Sequence, residues 1–362
     1  MKKNVLQILT TRFTLDGVSN VVKNYTSILS DEYHFDFLFC RGTDEAGAEF
    51  VNSIGGNIIK IDVSRNRKPL AYMNELSKEL KKRDYDIVHV HGNSGTMFFD
   101  IHGAKMAKVP VRIPHCHSTS SASKALHYLL KPFLNMDMTK GIACSTGSKK
   151  WLFTRNTVIL NNAIKTEDYR FSKEYRDELK KTLGIEGKFA ILCVGHFTPE
   201  KNFSYILDRF ANILAKKPEA VLVILGEGKL RCEIDKKIAE LGIDDKVIMP
   251  GRVSDANRYY SMADCYAMPS IFEGLPLALV EAQASGLPCI VSANVSREAD
   301  VTGNVTYVPL EDTEAWEKCL LDAEIMNDSQ KAKMSDNAIL SIKENGYDIT
   351  ENAHELGRIY CE

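Results

Sequence analysis

Short apolar runs rich in β-branched residues alternate along this chain with longer stretches of helical periodicity, and the whole alternation occurs twice. Strands buried on both faces read as continuous apolar runs, so the pattern predicts βα units wound around parallel sheets. In the first half the expected strands are Val5 to Leu9, His34 to Phe39, Asn57 to Ile61, Asp86 to Val90, Val111 to Pro114, Gly141 to Cys144 and Val158 to Leu160. Gly17 to Leu29, Leu70 to Lys82 and Ser121 to Met136 carry helical spacing between them. A charged stretch from Lys165 to Gly187 reads as a linker. The second series runs Phe189 to Val194, Ala220 to Leu225, Lys246 to Met249, Cys265 to Met268, Pro288 to Val291 and Val305 to Val308. With 362 residues the chain exceeds what one hydrophobic core usually fills. Two doubly wound α/β domains facing across a cleft are therefore expected, with ligands at the carboxyl ends of the strands.

Charge and cysteine usage exclude several functions. Lys plus Arg (46) nearly balance Asp plus Glu (48), so no global field collects nucleic acid, and any anion site must be local. The nine cysteines are scattered and never form C-x-x-C, which argues against a disulfide framework or a zinc cluster and fits a reducing, cytoplasmic setting. Met1-Lys-Lys precedes an apolar run broken by Gln7 and lacking a small-residue cleavage site, so a first strand is expected there instead of a secretory signal. No stretch approaches the ~18 apolar residues of a membrane span, leaving only peripheral membrane contact.

Three glycine features could face a phosphate. Gly195-His-Phe-Thr-Pro-Glu-Lys-Asn202 follows a strand and opens a helix, which would aim a helix N-terminus and Lys201 at an anion, although Thr198-Pro199-Glu200 also suits an ordinary helix start. Gly226-Glu-Gly228 follows a strand too, but Arg231 stands where the dinucleotide fingerprint has its third glycine. Leu15-Asp-Gly-Val-Ser19 could be a mere turn and cap. No Walker A sequence is present.

Glu273 lies in a loop with Gly274 and Pro276, and Glu281 follows inside the helix that Pro276 can begin. Two carboxylates near a helix start can accept hydrogen bonds from sugar and ribose hydroxyls, or can simply complement the helix dipole and face solvent. Spacing alone does not separate these readings. Histidines pair at two strand ends, Val88-His-Val-His-Gly92 and Ile113-Pro-His-Cys-His-Ser118, each at i, i+2. No further ligand stands at convincing metal spacing, so no metal is expected; one histidine should face the cleft, with His89 and His115 structural. Asp84-Tyr-Asp86 resembles a manganese-binding D-x-D but precedes a buried strand and reads as a turn.

In order, these segments resemble the retaining glycosyltransferases of family four, which have the two-domain GT-B fold of two Rossmann-like halves. The resemblance rests on Glu273-Gly-Leu-Pro276 and Glu281-Ala-Gln-Ala-Ser-Gly-Leu-Pro288, framing E-x7-E. Val194 to Lys201, Gly226 to Gly228, Asn161, Asp86 to His91 and His115 to Ser118 complete it, much as in bacterial exopolysaccharide and capsule transferases.

The resemblance implies an acceptor-binding domain over 1–165, a nucleotide-sugar-binding domain over 166–345, and a helix over 346–362 crossing back to the first domain. It implies a donor diphosphate held by Lys201, His196 and the backbone around Gly226, Gly274, Leu275 and Pro276, with Glu281 on the ribose and Glu273 on the sugar. His117 would contact the transferring sugar and Gly17 would lie beneath it, while His91 and Asn93 are acceptor-side candidates. His117, Lys201 and Glu273 are thus the catalytic candidates, with no cofactor. The partners implied are a nucleoside-diphosphate sugar, UDP before GDP, and a saccharide or polyprenyl-linked acceptor.

The chain departs from the family pattern at three places. His196 replaces an arginine, Asp16-Gly17 a glycine pair, and Asn161-Asn162 an Asn-Gly. A sugar-nucleotide epimerase of the same fold and a non-catalytic sugar-nucleotide-binding protein remain open. Lys124, His127 and Lys131 with Leu126, Leu129, Leu130 and Phe133 could form a membrane-facing segment, but a helix packed on the domain core fits better.

Overall fold

The computed structural model describes residues 2–13, 17–119 and 121–362. They form two compact units, Met1–Ala163 with Ile349–Glu362, and Ile164–Asp348.

The first unit is built on seven parallel strands: β1 (Lys3–Leu9), β2 (Tyr33–Phe39), β3 (Ile58–Ile59), β4 (Ile87–Gly92), β5 (Val111–Cys116), β6 (Gly141–Ala143) and β7 (Thr157–Ile159). Their spatial order is β3-β2-β1-β4-β5-β6-β7, so the winding reverses between β1 and β4. The central strand β1 is buried from Val5 onward, which is why the sequence shows an apolar run there, broken only by Gln7. β4 is buried at every position, and His89 and His91 sit inside it.

The second unit repeats the plan with β8 (Phe189–Val194), β9 (Ala220–Leu225), β10 (Val247–Gly251), β11 (Cys265–Met268), β12 (Cys289–Ser292) and β13 (Val305–Val308), ordered β10-β9-β8-β11-β12-β13. Alternate residues of β8 and β9 enter two cores, one holding Phe189, Ile191, Leu222 and Ile224, the other Ala190, Leu192, Val221 and Val223. Each unit is therefore a doubly wound, all-parallel α/β fold.

The stretch expected to be a linker is folded. Ser172 caps a helix over Lys173–Thr182, and Arg176 and Lys180, one turn apart, both reach the buried carboxylate of Asp264 at 2.9 and 2.8 Å. Asp264 also accepts from the Ala190 N–H, which joins the helix to β8. Inward-pointing charges that neutralise one another are indistinguishable from solvated ones by hydropathy, hence the misreading.

The chain enters the second unit and leaves it at one place: the Ile164 N–H donates to the Tyr347 carbonyl at 3.0 Å, and the Thr166 hydroxyl to Asp348 at 2.5 Å. The final helix, Ile349–Cys361, belongs to the first unit and packs on helix Gly17–Leu29, burying Ala353, Leu356, Ile359 and Tyr360.

Candidate functional site

In the second unit the candidate residues gather at the carboxyl ends of β8, β9 and β11. Gly195 follows β8, and a Cβ there would lie 3.0 to 3.4 Å from the side chain of Lys201. Glycine thus leaves room for that lysine to fold back over the loop. Lys201 closes a 3-10 turn over Pro199–Lys201, after which Asn202 takes a left-handed φ of 54° and starts helix Phe203–Ile213. The Lys201 ammonium reaches Oε1 of Glu273 at 2.5 Å. Glu273 is positioned by its own backbone, whose carbonyl accepts from the Ser296 N–H at 3.0 Å, while the Ile271 N–H donates to the Glu200 carbonyl at 2.8 Å. Both loops are tied before any ligand arrives.

Gly226 has φ 144°, and a Cβ on it would stand 1.9 Å from the Gly195 carbonyl oxygen; one on Gly228 would stand 2.6 Å from that of Phe197. The G-x-G motif therefore lets the β9 loop lie directly on the β8 loop, a packing role that its spacing left undecided. His196 is exposed, with Nδ1 3.4 Å from the Glu227 carbonyl. Gly274 is exposed with open space where a side chain would be. Leu275 is half-buried, and Pro276 (φ −77°) precedes helix Leu277–Ala284. That helix start, with its unpaired N–H groups and the nearby lysine, is suited to an anion.

Glu281 lies on the same helix, half-buried, and accepts from the Tyr260 hydroxyl at 2.8 Å. Burial pushes its carboxyl above the usual range, against the hydrogen bonds from Tyr260 and Tyr169. Neither tyrosine lies in a motif, so motif reading does not find these partners of Glu281.

In the first unit β4 and β5 bring four histidines into one stack. His89 Nε2 is 3.2 Å from His115 Nδ1, and His91 Nδ1 is 2.9 Å from His117 Nε2. The far ends are held by residues distant in sequence: Tyr360 at 2.6 Å from His89, Gln7 at 2.7 Å from His91, and Asn162 at 2.9 Å from His117. All four rings are buried, and desolvation lowers their pKa values, to about 3 for His89 and about 4 for His117.

The row Gln7, His91, His117, Asn162 obeys a proton count. With amide oxygens at both ends, its three contacts need three protons, while two neutral imidazoles supply two. Burial disfavours an imidazolium, so one of the two amides presents its NH₂ group instead. His91 is thereby fully engaged and 3% exposed, a residue that holds His117 more than one that meets a ligand directly.

Ring nitrogens of His89, His91 and His115 come within 4.8 Å of one another, close enough to consider a metal. Those of His89 and His91 are already bonded to Tyr360, His115, Gln7 and His117; among the described residues His115 Nε2 alone of these six lacks a partner. The arrangement is that of a hydrogen-bonded stack. Asp84 and Asp86 do not converge as a metal pair, since the Asp86 carboxylate accepts from the Asn4 N–H at 2.8 Å and Asp84 holds a left-handed turn.

Asn93 follows β4; its carbonyl accepts from the Trp151 indole at 2.7 Å, and its side-chain oxygen has no partner among the described residues. Gly17 opens its helix with φ 38°, while Leu15 and Asp16 before it lie outside the described residues. Within the second unit Lys201 and Glu273 are in contact, and within the first so are His91 and His117.

Two doubly wound units, with a lysine and a carboxylate converging at the strand ends of the second, define a glycosyltransferase of the GT-B fold. Residues 175–339 match the family model described as Glycosyl transferases group 1. Over nearly its full length it is similar to the "Putative glycosyltransferase EpsF" of Bacillus subtilis (strain 168), 27% identical, with 99% of this chain and 96% of that protein covered. It is similar also to an Escherichia coli "UDP-Gal:alpha-D-GlcNAc-diphosphoundecaprenol alpha-1,3-galactosyltransferase", 26% identical over 96% and 94% of the two chains. Among solved structures, Anabaena Alr3699/HepE in complex with UDP shares the fold with a TM-score of 0.80 at 14% identity, covering 99% of both chains.

Proposed function

We propose that this glycosyltransferase is a retaining, metal-independent enzyme of bacterial surface polysaccharide synthesis. It moves a hexose-type sugar from a nucleoside-diphosphate sugar, UDP in preference to GDP, to a saccharide or polyprenyl-linked acceptor. It works in the cytoplasm and peripherally at the inner face of the membrane. The observation that carries the reading is the Lys201–Glu273 contact beside the start of helix Leu277–Ala284. The UDP in the Anabaena complex and the diphosphoundecaprenol-linked acceptor in the Escherichia coli relative's name support the choice of donor and acceptor.

In this mechanism the bond from the anomeric carbon to the donor phosphate breaks and negative charge develops on the departing diphosphate. Lys201, the Gly274 and Leu275 N–H groups and the helix start stabilise it, a preorganised electrostatic catalysis that needs no metal. Pro276 has no N–H to offer and serves by fixing the backbone that begins the helix. His196 and the loop at Gly226 border the phosphates. Glu281 receives the ribose hydroxyls and Glu273 those of the sugar, and within the first unit His117 and Gly17 are the sugar-binding candidates. The acceptor hydroxyl, near Asn93 with His91 behind it holding His117, attacks on the face the leaving group vacates and gives its proton to the departing phosphate oxygen, so configuration is retained.

A thermal-shift comparison of UDP, GDP and other nucleoside diphosphates tests the reading, because a ligand of the native state raises its melting temperature. The largest shift is expected with UDP, followed by transfer from a UDP-hexose to a lipid-linked saccharide. Absence of a shift with every nucleoside diphosphate would reject it.

A further inference from the structure

Helix Lys124–Asp137 buries Leu130 and Leu134 together with polar residues and leaves much of its apolar surface exposed. Its buried side includes His127, Asn135 and Asp137, while Tyr128, Leu129, Pro132, Phe133 and Met136 face out, Leu129 at 63% and Met136 at 68% exposure. The sequence expectation of a helix packed by its apolar side on the core is thus overturned for half of that side. The polar groups fix the register: His127 accepts from the Gly95 N–H at 3.2 Å, Asn135 bonds the backbone of Leu152 and Thr154 at 3.0 and 2.9 Å, and Asp137 is bound by His102 and Lys105. Rolling the helix to hide its apolar side would break these bonds, so the exposure is built in.

The surroundings are basic. Residues 121–161 carry six Lys or Arg and a single acid, Asp137, in a chain of net charge −2, and that acid is buried and paired. Two of the cations are fixed at the edge of the apolar face. Lys131 donates to the Trp151 carbonyl at 2.7 Å, and Arg155 to those of Asn135 and Met136 at 2.7 and 3.1 Å. With Tyr128, Pro132 and Met136 they line a shallow recess. Lys149 and Lys150 are exposed on the next helix.

An apolar strip with a cationic margin matches the hydrocarbon and phosphate layers of an anionic bilayer. A second copy of the chain would instead oppose two sets of like charges. We propose that this face is the enzyme's membrane-docking surface, with Leu129, Phe133 and Met136 entering the interface and Lys131, Lys149, Lys150 and Arg155 meeting lipid phosphates. The proposal deepens the peripheral location given above and rests on that reading for its purpose, while its test requires neither donor nor acceptor.

Full-length protein is floated with vesicles of phosphatidylcholine alone and of equimolar phosphatidylcholine and phosphatidylglycerol. Binding to the anionic vesicles only is expected, weakened by salt, and reduced about tenfold both in Leu129→Asp/Met136→Asp and in Lys149→Glu/Lys150→Glu. The UDP thermal shift should be the same in all three proteins, so a lost donor site and a lost docking surface are told apart. Failure of the native protein to float with anionic vesicles, or equal flotation of the variants, would overturn the proposal. So would a dimer that dissociates in Leu129→Asp/Met136→Asp while no protein floats.

Discussion

The ammonium of Lys201 lies 2.5 Å from Oε1 of Glu273, with both side chains about one-fifth exposed. A pair so placed contributes little to stability. In the proposed mechanism its value is positional, the carboxylate holding a flexible cation in place until the donor phosphate competes for it. Glu273→Gln should therefore leave UDP binding intact or slightly tighter while lowering kcat about a hundredfold, as sugar placement is lost. Calorimetric UDP titration and steady-state transfer measure the two parts, and weakened UDP binding with unchanged kcat would reverse the assignment.

Two glycines of the same region should behave oppositely. Gly195→Ala places its methyl against the Lys201 side chain, a flexible neighbour that can move, so activity falls with little change in melting temperature. Gly226→Ala meets the Gly195 carbonyl at 1.9 Å from a φ of 144°, and should destabilise the fold by at least about 2 kcal/mol. Urea denaturation of the two variants decides the matter.

His196 is exposed, with Nδ1 3.4 Å from the Glu227 carbonyl, and in the proposed mechanism it borders the donor phosphates. His196→Arg should preserve or modestly raise kcat/KM, because a guanidinium adds a permanent charge and further donors at this exposed position. A large loss would show that the imidazole does something a permanent cation cannot.

The histidine stack predicts acid sensitivity. Burial holds His89, His91, His115 and His117 neutral well below the ordinary histidine value of 6.5, so on acidification the unfolded chain takes up protons that the native one refuses. Their contribution to stability is full above pH 6.5 and declines as pH falls toward about 4, by about 1.4 kcal/mol per pH unit for each such group. Glu281, raised by burial, opposes this as a single group. Urea midpoints between pH 7.5 and 4.5 should fall steadily, and a midpoint unchanged at pH 5 would contradict the account.

Both sheets were legible because parallel strands buried on two faces leave continuous apolar runs such as Ala220–Leu225. The motif lysine and carboxylates were legible because glycine and proline frame them. What the sequence concealed lies in partnerships between distant residues. Tyr260 with Glu281, and Gln7, Asn162 and Tyr360 around the histidines, become neighbours only through the winding of the sheets. Arg176 and Lys180 looked solvated because their shared partner Asp264 is far along the chain. Helix Lys124–Asp137 misled for a related reason, as its apolar residues exceed what the core beneath it covers.

The central claim is that Lys201 supplies, without a metal, the positive charge that lets the diphosphate depart. Transfer from a UDP-sugar in excess EDTA, measured for the native enzyme and for Lys201→Ala of unchanged melting temperature, tests it most directly. The account predicts an active native enzyme under chelation and a loss of about 10²- to 10³-fold in kcat/KM for the variant. Full activity of Lys201→Ala, or strict loss of native turnover in EDTA restored by a divalent cation, would contradict it.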